Sequence, residues 1–188
     1  ADVSAQVGAV DKLYSRLSGG LCEWAQRIQM HPHRVRISAT AGSGKTQLAL
    51  SLFETAIRGG RRPLFVCFNR PLADHFTQLA PSGGEIASYS QLCNRMVCSS
   101  GLRPDFSQAD AFERIERAFA TMAVPENFRF DELIVDEGQD FSESWMDALM
   151  RLLKPDGRAW WLEDPQQNLY GRDTLSLPGW VGLNSPIN

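Results

Sequence analysis

The sequence predicts an α/β fold, a parallel sheet with helices on both faces. Three observations predict it. From residue 34 onward, short apolar runs alternate with longer stretches of helical periodicity, the pattern of strand–helix–strand units. The runs Pro63–Phe68 and Leu133–Val135 are continuously apolar, as strands buried on both sides must be. Polar and glycine-rich segments follow the strand ends, the edge at which open α/β sheets bind ligands.

Taken in order, Val7, Val10, Leu13, Leu17, Leu21, Trp24 and Ile28 recur every three or four residues, so residues 1–33 read as an N-terminal helical segment. Residues 34–39 alternate as a strand and run into the glycine cluster Gly42-Ser43-Gly44. A helix follows from Gln47 and ends at Gly59-Gly60. Pro63–Phe68 is the next strand, Leu72–Leu79 a helix, Glu85–Ser88 a short strand and Gln91–Cys98 a helix. Ser107 is placed to cap a helix through Met122, with Ala109, Phe112, Ile115 and Phe119 facing inward. Residues 132–135 form a strand, Trp145–Leu153 a helix and Ala159–Leu162 a fifth strand, in which Trp160 and Trp161 are expected to be buried.

The 188 residues suffice for one domain with a proper core, and 43% hydrophobic with 22% charged content excludes a disordered chain. A net charge of −3 excludes a uniformly basic nucleic-acid binder, so any such contact must come from a local patch. Cys22, Cys67, Cys93 and Cys98 form no C-x-x-C pair and read as buried free thiols in a reducing cytoplasm. The first residues carry no apolar signal core, and no apolar run reaches the ~18 residues a membrane span needs.

Ala39-Thr40-Ala41-Gly42-Ser43-Gly44-Lys45-Thr46 lies between a strand and a helix and matches the phosphate-loop pattern, with Ala39 in place of its first glycine. Ala41, Gly42, Ser43 and Gly44 would bring backbone N–H groups onto the phosphates, and the helix would point its positive end at them. Lys45 would bind the β- and γ-phosphates, and Thr46 would offer its hydroxyl to Mg²⁺. Asp136-Glu137 ends the apolar strand well downstream. That strand can lie beside the one feeding Lys45. Asp136 would then hold Mg²⁺ through water, and Glu137 would orient and deprotonate the attacking water.

Residues 39–46 resemble motif I of UvrD/Rep-like superfamily 1 helicases, in which an initial Ala is common. Asp136-Glu137-Gly138-Gln139-Asp140 is similar to their motif II, usually DEAQD or DECQD. Residues 65–73 resemble motif Ia, and residues 163–170 resemble motif III, GDxxQxIY, with Glu163 in place of its glycine. The resemblance implies the N-terminal RecA-like domain of an ATP-driven, Mg²⁺-dependent DNA or RNA helicase or translocase. It implies that Gln167 contacts the γ-phosphate in a relay with Gln139 and Asp140, and that Phe68 and Asn69 lie near single-stranded nucleic acid. Phe68 is equally compatible with the core. Ser90 stands where the next motif often carries a histidine.

The RecA-like domain is then expected over 34–180, with a small helical insertion at 99–130 and the start of the motif IV region at 181–188. The partner RecA-like domain and its arginine finger lie beyond these residues, so the 188 residues alone are expected to bind nucleotide weakly and hydrolyse it little. The alternative is a P-loop ATPase of a repair or restriction system, or a nucleotide-sensing module, with no unwinding. A GTPase is disfavoured because no N-K-x-D motif is present.

Overall fold

Side chains alternate across a strand, so a strand apolar at every position must be covered twice. The computed structural model, which describes residues 27, 28, 30–40, 44–167 and 175–184, meets that requirement with two cores. Strands β1 (Arg34–Ser38), β2 (Pro63–Cys67), β3 (Glu85–Ser88), β4 (Phe130–Val135), β5 (Leu153–Glu163) and β6 (Val181–Asn184) form one sheet in the order β3-β2-β4-β5-β1-β6. Every pairing is parallel. Helices α1 (Lys45–Arg58) and α2 (Arg70–Leu79) cover one face, where Leu52, Phe53 and Phe76 pack on Phe65, Ile134 and Trp160. Helices α3 (Tyr89–Ser99), α4 (Ala111–Thr121) and α5 (Glu143–Met150) cover the other, where Met96, Phe119 and Leu149 pack on Val66, Leu133 and Trp161. The α/β class with helices on both faces is as the sequence predicts, and the arrangement is consistent with a RecA-like P-loop fold.

Local signals set the helix starts. Asn69 Oδ1 accepts from Leu72 N at 2.9 Å to cap α2, and Ser88 and Gln91 form a reciprocal capping box on α3. Trp160 and Trp161 are both buried, as expected. Trp160 Nε1 donates to Glu132 at 2.7 Å, and the same carboxylate accepts from Arg61 at 2.8 Å. These bonds give a buried acid the partners without which it would cost several kcal/mol. Cys67 and Cys93 are buried free thiols, as expected, but Cys98 is exposed, against the expectation, because it lies near the C-terminal end of α3 on its outward side, and Cys22 lies outside the described residues.

Four further expectations need correction. The strand carrying Asp136 does not lie beside the one feeding Lys45: β5 is inserted between β4 and β1. The helix after Phe141 ends at Met150, and Leu153 already belongs to β5, because a parallel crossover must return to the opposite sheet edge before the next strand starts. Ser107 caps no helix. Its hydroxyl and N–H both donate to Asp105, and α4 starts four residues later. Within α4 the inward stripe is Ala111, Ile115 and Phe119, spaced by four, which turns Phe112 out to 59% exposure beside Phe106. Ala109, ahead of the helix, is exposed too.

Residues 181–184 pair with residues 35–38 of β1, so the sheet extends past residue 180. The 99–130 segment contributes α4 and a 3-10 turn at Glu126–Phe128. All but the last residues of the N-terminal helical segment lie outside the described residues.

Candidate functional site

Parallel strands bring all their C-terminal ends to one edge, and here that edge gathers Ala39 after β1, Asp136 after β4 and Asp164 after β5. Gly44 precedes α1 with φ of 83°, a left-handed conformation that glycine adopts without steric cost. As the N-cap residue of α1, Gly44 has no side chain to cap it, and the first turn carries no acid, so among the described residues the N-terminal dipole of α1 is unneutralised by the helix itself. Ala41, Gly42 and Ser43 lie outside the described residues.

Lys45 opens α1 and is buried, at 8% exposure. Its Nζ donates to Ala39 O at 3.0 Å and Thr40 O at 3.3 Å and faces Asp164 Oδ2 at 3.6 Å. The neighbouring Thr46 hydroxyl donates to Asp136 Oδ2 at 3.2 Å, across 90 residues of sequence. The residues of the expected phosphate loop and the expected magnesium-binding acid therefore meet, although β5 separates their strands. β5 supplies the third member of the cluster, Asp164.

Asp136 is fully buried. Burial first, and then the adjacent Glu137 charge, push its carboxyl up from 3.8 to about 6, against the opposing pull of the Glu137 N–H, the Thr46 hydroxyl and Lys45. Glu137 adopts φ of 55°, the left-handed region, at a cost of ~1–3 kcal/mol for a residue with a Cβ. Surrounding contacts hold it there. Its N–H donates to Asp136 Oδ1 at 3.0 Å, its carbonyl accepts from Asp140 N at 3.0 Å, and its carboxylate accepts from Gln139 Nε2 at 2.6 Å. Gln139 Oε1 in turn accepts from Asp164 N at 2.9 Å, so this amide ties motif II to the end of β5.

Gly138 has a packing reason. A Cβ there would run into the indole edge of Trp161, the residue that fills the core beneath the acidic turn. Asp140 is half-buried on the same turn. Glu163, at the position where the family motif has glycine, is buried and accepts from Arg36 at 2.7 Å and Ser38 at 3.0 Å. It thereby fastens β5 to β1.

The remaining expected site residues are spread along the same edge. Gln167 is exposed on the 3-10 turn Pro165–Gln167, and its N–H donates to Asp164 O at 3.1 Å. Residues 168–170 of the motif III match lie outside the described residues. Phe68, after β2, is half-buried and stacks on Trp145 at 6.1 Å. Asn69 is exposed, with its side chain engaged in capping α2.

Among the described residues no group of three or more His, Cys, Asp or Glu side chains is arranged to hold a metal. Mg²⁺ does not require one, since it binds through one or two protein oxygens together with water and phosphate. The donor set fits that mode. Thr46 and Asp136 already touch, and the buried Lys45 ammonium faces Asp164 and draws on the Asp136 charge.

No protein-family model matches the chain, and no curated protein matches it significantly. The likeness to superfamily 1 helicases rests on the four motifs themselves. Among the described residues no helix is long and apolar enough to cross a membrane.

Proposed function

We propose that this chain is the ATP-binding domain of a superfamily 1 DNA or RNA helicase or translocase, a P-loop ATPase that couples Mg-ATP hydrolysis to single-stranded nucleic acid. The observation that carries the ATPase reading is the Thr46–Asp136 hydrogen bond, with Lys45 and Glu137 beside it at the ligand-binding edge of the sheet. The helicase reading adds the order of motifs I, Ia, II and III from residue 39 to residue 170.

Lys45 neutralises the β- and γ-phosphates, and the loop of residues 41–44 offers its N–H groups to them. Thr46 and Asp136 hold Mg²⁺, which supplies charge neutralisation on the phosphates when bound. Glu137 orients the attacking water and takes its proton, positioned by Gln139. Gln167 reports on the γ-phosphate, and Phe68 and Asn69 border the nucleic-acid path. The partner is a second RecA-like domain, whose arginine finger is worth ~10³–10⁵ in rate for such transfers.

Equilibrium titration with Mg-ATP tests the reading. The chain should bind Mg-ATP, with slow hydrolysis in the absence of the partner domain. No detectable binding at millimolar Mg-ATP would overturn it.

A further inference from the structure

Asp164 is fully buried at the end of β5. Its Oδ1 accepts from Gln166 N at 3.0 Å. Its Oδ2 is buried with no hydrogen-bond partner and faces Lys45 Nζ at 3.6 Å. A buried carboxylate oxygen without a hydrogen bond is costly, and what compensates it here is the charge of one ammonium. Lysine has three N–H donors. In Lys45 two are given to Ala39 O and Thr40 O, and Asp164 lies on the remaining side. The salt bridge is itself buried, with side-chain exposures of 8% and 1%, so solvent screens it little.

We propose that Asp164 sets the affinity of this site for polyphosphates by competing with the β- and γ-phosphates for the Lys45 ammonium. The proposal rests on the nucleotide reading above. Two penalties act on the ligand. Lys45 must be drawn away from its counter-ion, and the carboxylate left behind is a buried negative charge close to another polyanion. Both penalties fall on the groups that reach Lys45, the β- and γ-phosphates. A nucleoside monophosphate does not incur them.

Asp164→Asn removes the charge and keeps an oxygen for the Gln166 N–H. The test is calorimetric titration of the wild-type chain and this variant with ATP, tripolyphosphate and AMP, with and without Mg²⁺. Thermal unfolding serves as the control for structure. The expected result is a Kd about tenfold lower for ATP and tripolyphosphate in Asp164→Asn, with AMP affinity unchanged. If that variant unfolds, Asp164→Ser, whose hydroxyl can also accept from Gln166 N, carries the same expectation. Unchanged or weaker polyphosphate binding in a folded variant overturns the proposal and leaves the nucleotide reading intact, provided the wild type binds ATP. Equal tightening for AMP also overturns it, because a general change in site charge would then be the cause. If neither wild type nor variant binds any of the three ligands, the nucleotide reading fails and the proposal fails with it.

Discussion

Replacing Asp136 by Asn should stabilise the protein at neutral pH and leave its stability unchanged in acid. The carboxyl is fully buried, and burial together with the Glu137 charge raises it from 3.8 to about 6. A carboxyl raised in the folded state stabilises fully below its unfolded value, and that contribution is lost as pH rises through the folded value. Between pH 3.8 and about 6 the folded chain holds a proton that the unfolded chain releases. Above that window the ionised Asp136 costs the fold about 3 kcal/mol. Asn carries no charge and keeps the geometry. Its Oδ1 can accept from the Glu137 N–H, and the Thr46 hydroxyl can turn to accept from Nδ2. For a chain of this size the gain corresponds to up to about 10 °C in Tm at pH 7–8. Thermal denaturation of both proteins from pH 3 to pH 8 should give coincident curves at the acid end, a gap that widens between pH 3.8 and about 6, and a constant gap above that. A variant less stable at pH 7, or a gap independent of pH, would refute this account of the acidic turn.

Gly138→Ala should push the acidic turn off the Trp161 indole, costing about 1–3 kcal/mol by overpacking, with lower Tm and altered tryptophan fluorescence as the readouts. An unchanged melting curve would mean that Trp161 does not support the turn. The register of α4 is checked by alanine at two phenylalanines. Phe112, 59% exposed, should change stability by no more than about 0.5 kcal/mol, whereas Phe119, 1% exposed, should cost about 3–5 kcal/mol in denaturant titration. The reverse order would restore the inward Phe112 that the sequence suggested.

Strand–helix alternation was legible because β2 and the last three residues of β4 are apolar at consecutive positions and the intervening helices are amphipathic or well capped. Strand order was not legible. Nothing in the residues of β5 says that it enters between β4 and β1, since adjacency in a parallel sheet is set by crossovers and not by local pattern. The α4 register was misread because Phe112 is as apolar as Phe119, and only the stripe from Ala111 through Ile115 decides which of them turns inward. At the site, Lys45 and Thr46 were visible because they follow a glycine turn at fixed spacing, and Asp136 and Glu137 because an acidic pair ends an apolar strand. Asp164 stood within the motif III match but had no assigned role. Its importance depends on burial and on a contact across 119 residues of sequence, neither of which a linear pattern displays. Glu163 read as a departure from the family pattern and proves to be a buried tie to Arg36.

The central claim is that the loop carrying Lys45 grips a magnesium-bound triphosphate, and its most direct test is Mg-ATP calorimetry on Lys45→Ala beside the wild type. Because the substitution strands the buried Asp164 carboxylate, circular dichroism must first establish that the variant is folded. Measurable heat of binding in the wild type and none in the folded variant is the predicted result. Equal affinity in the two proteins would contradict it.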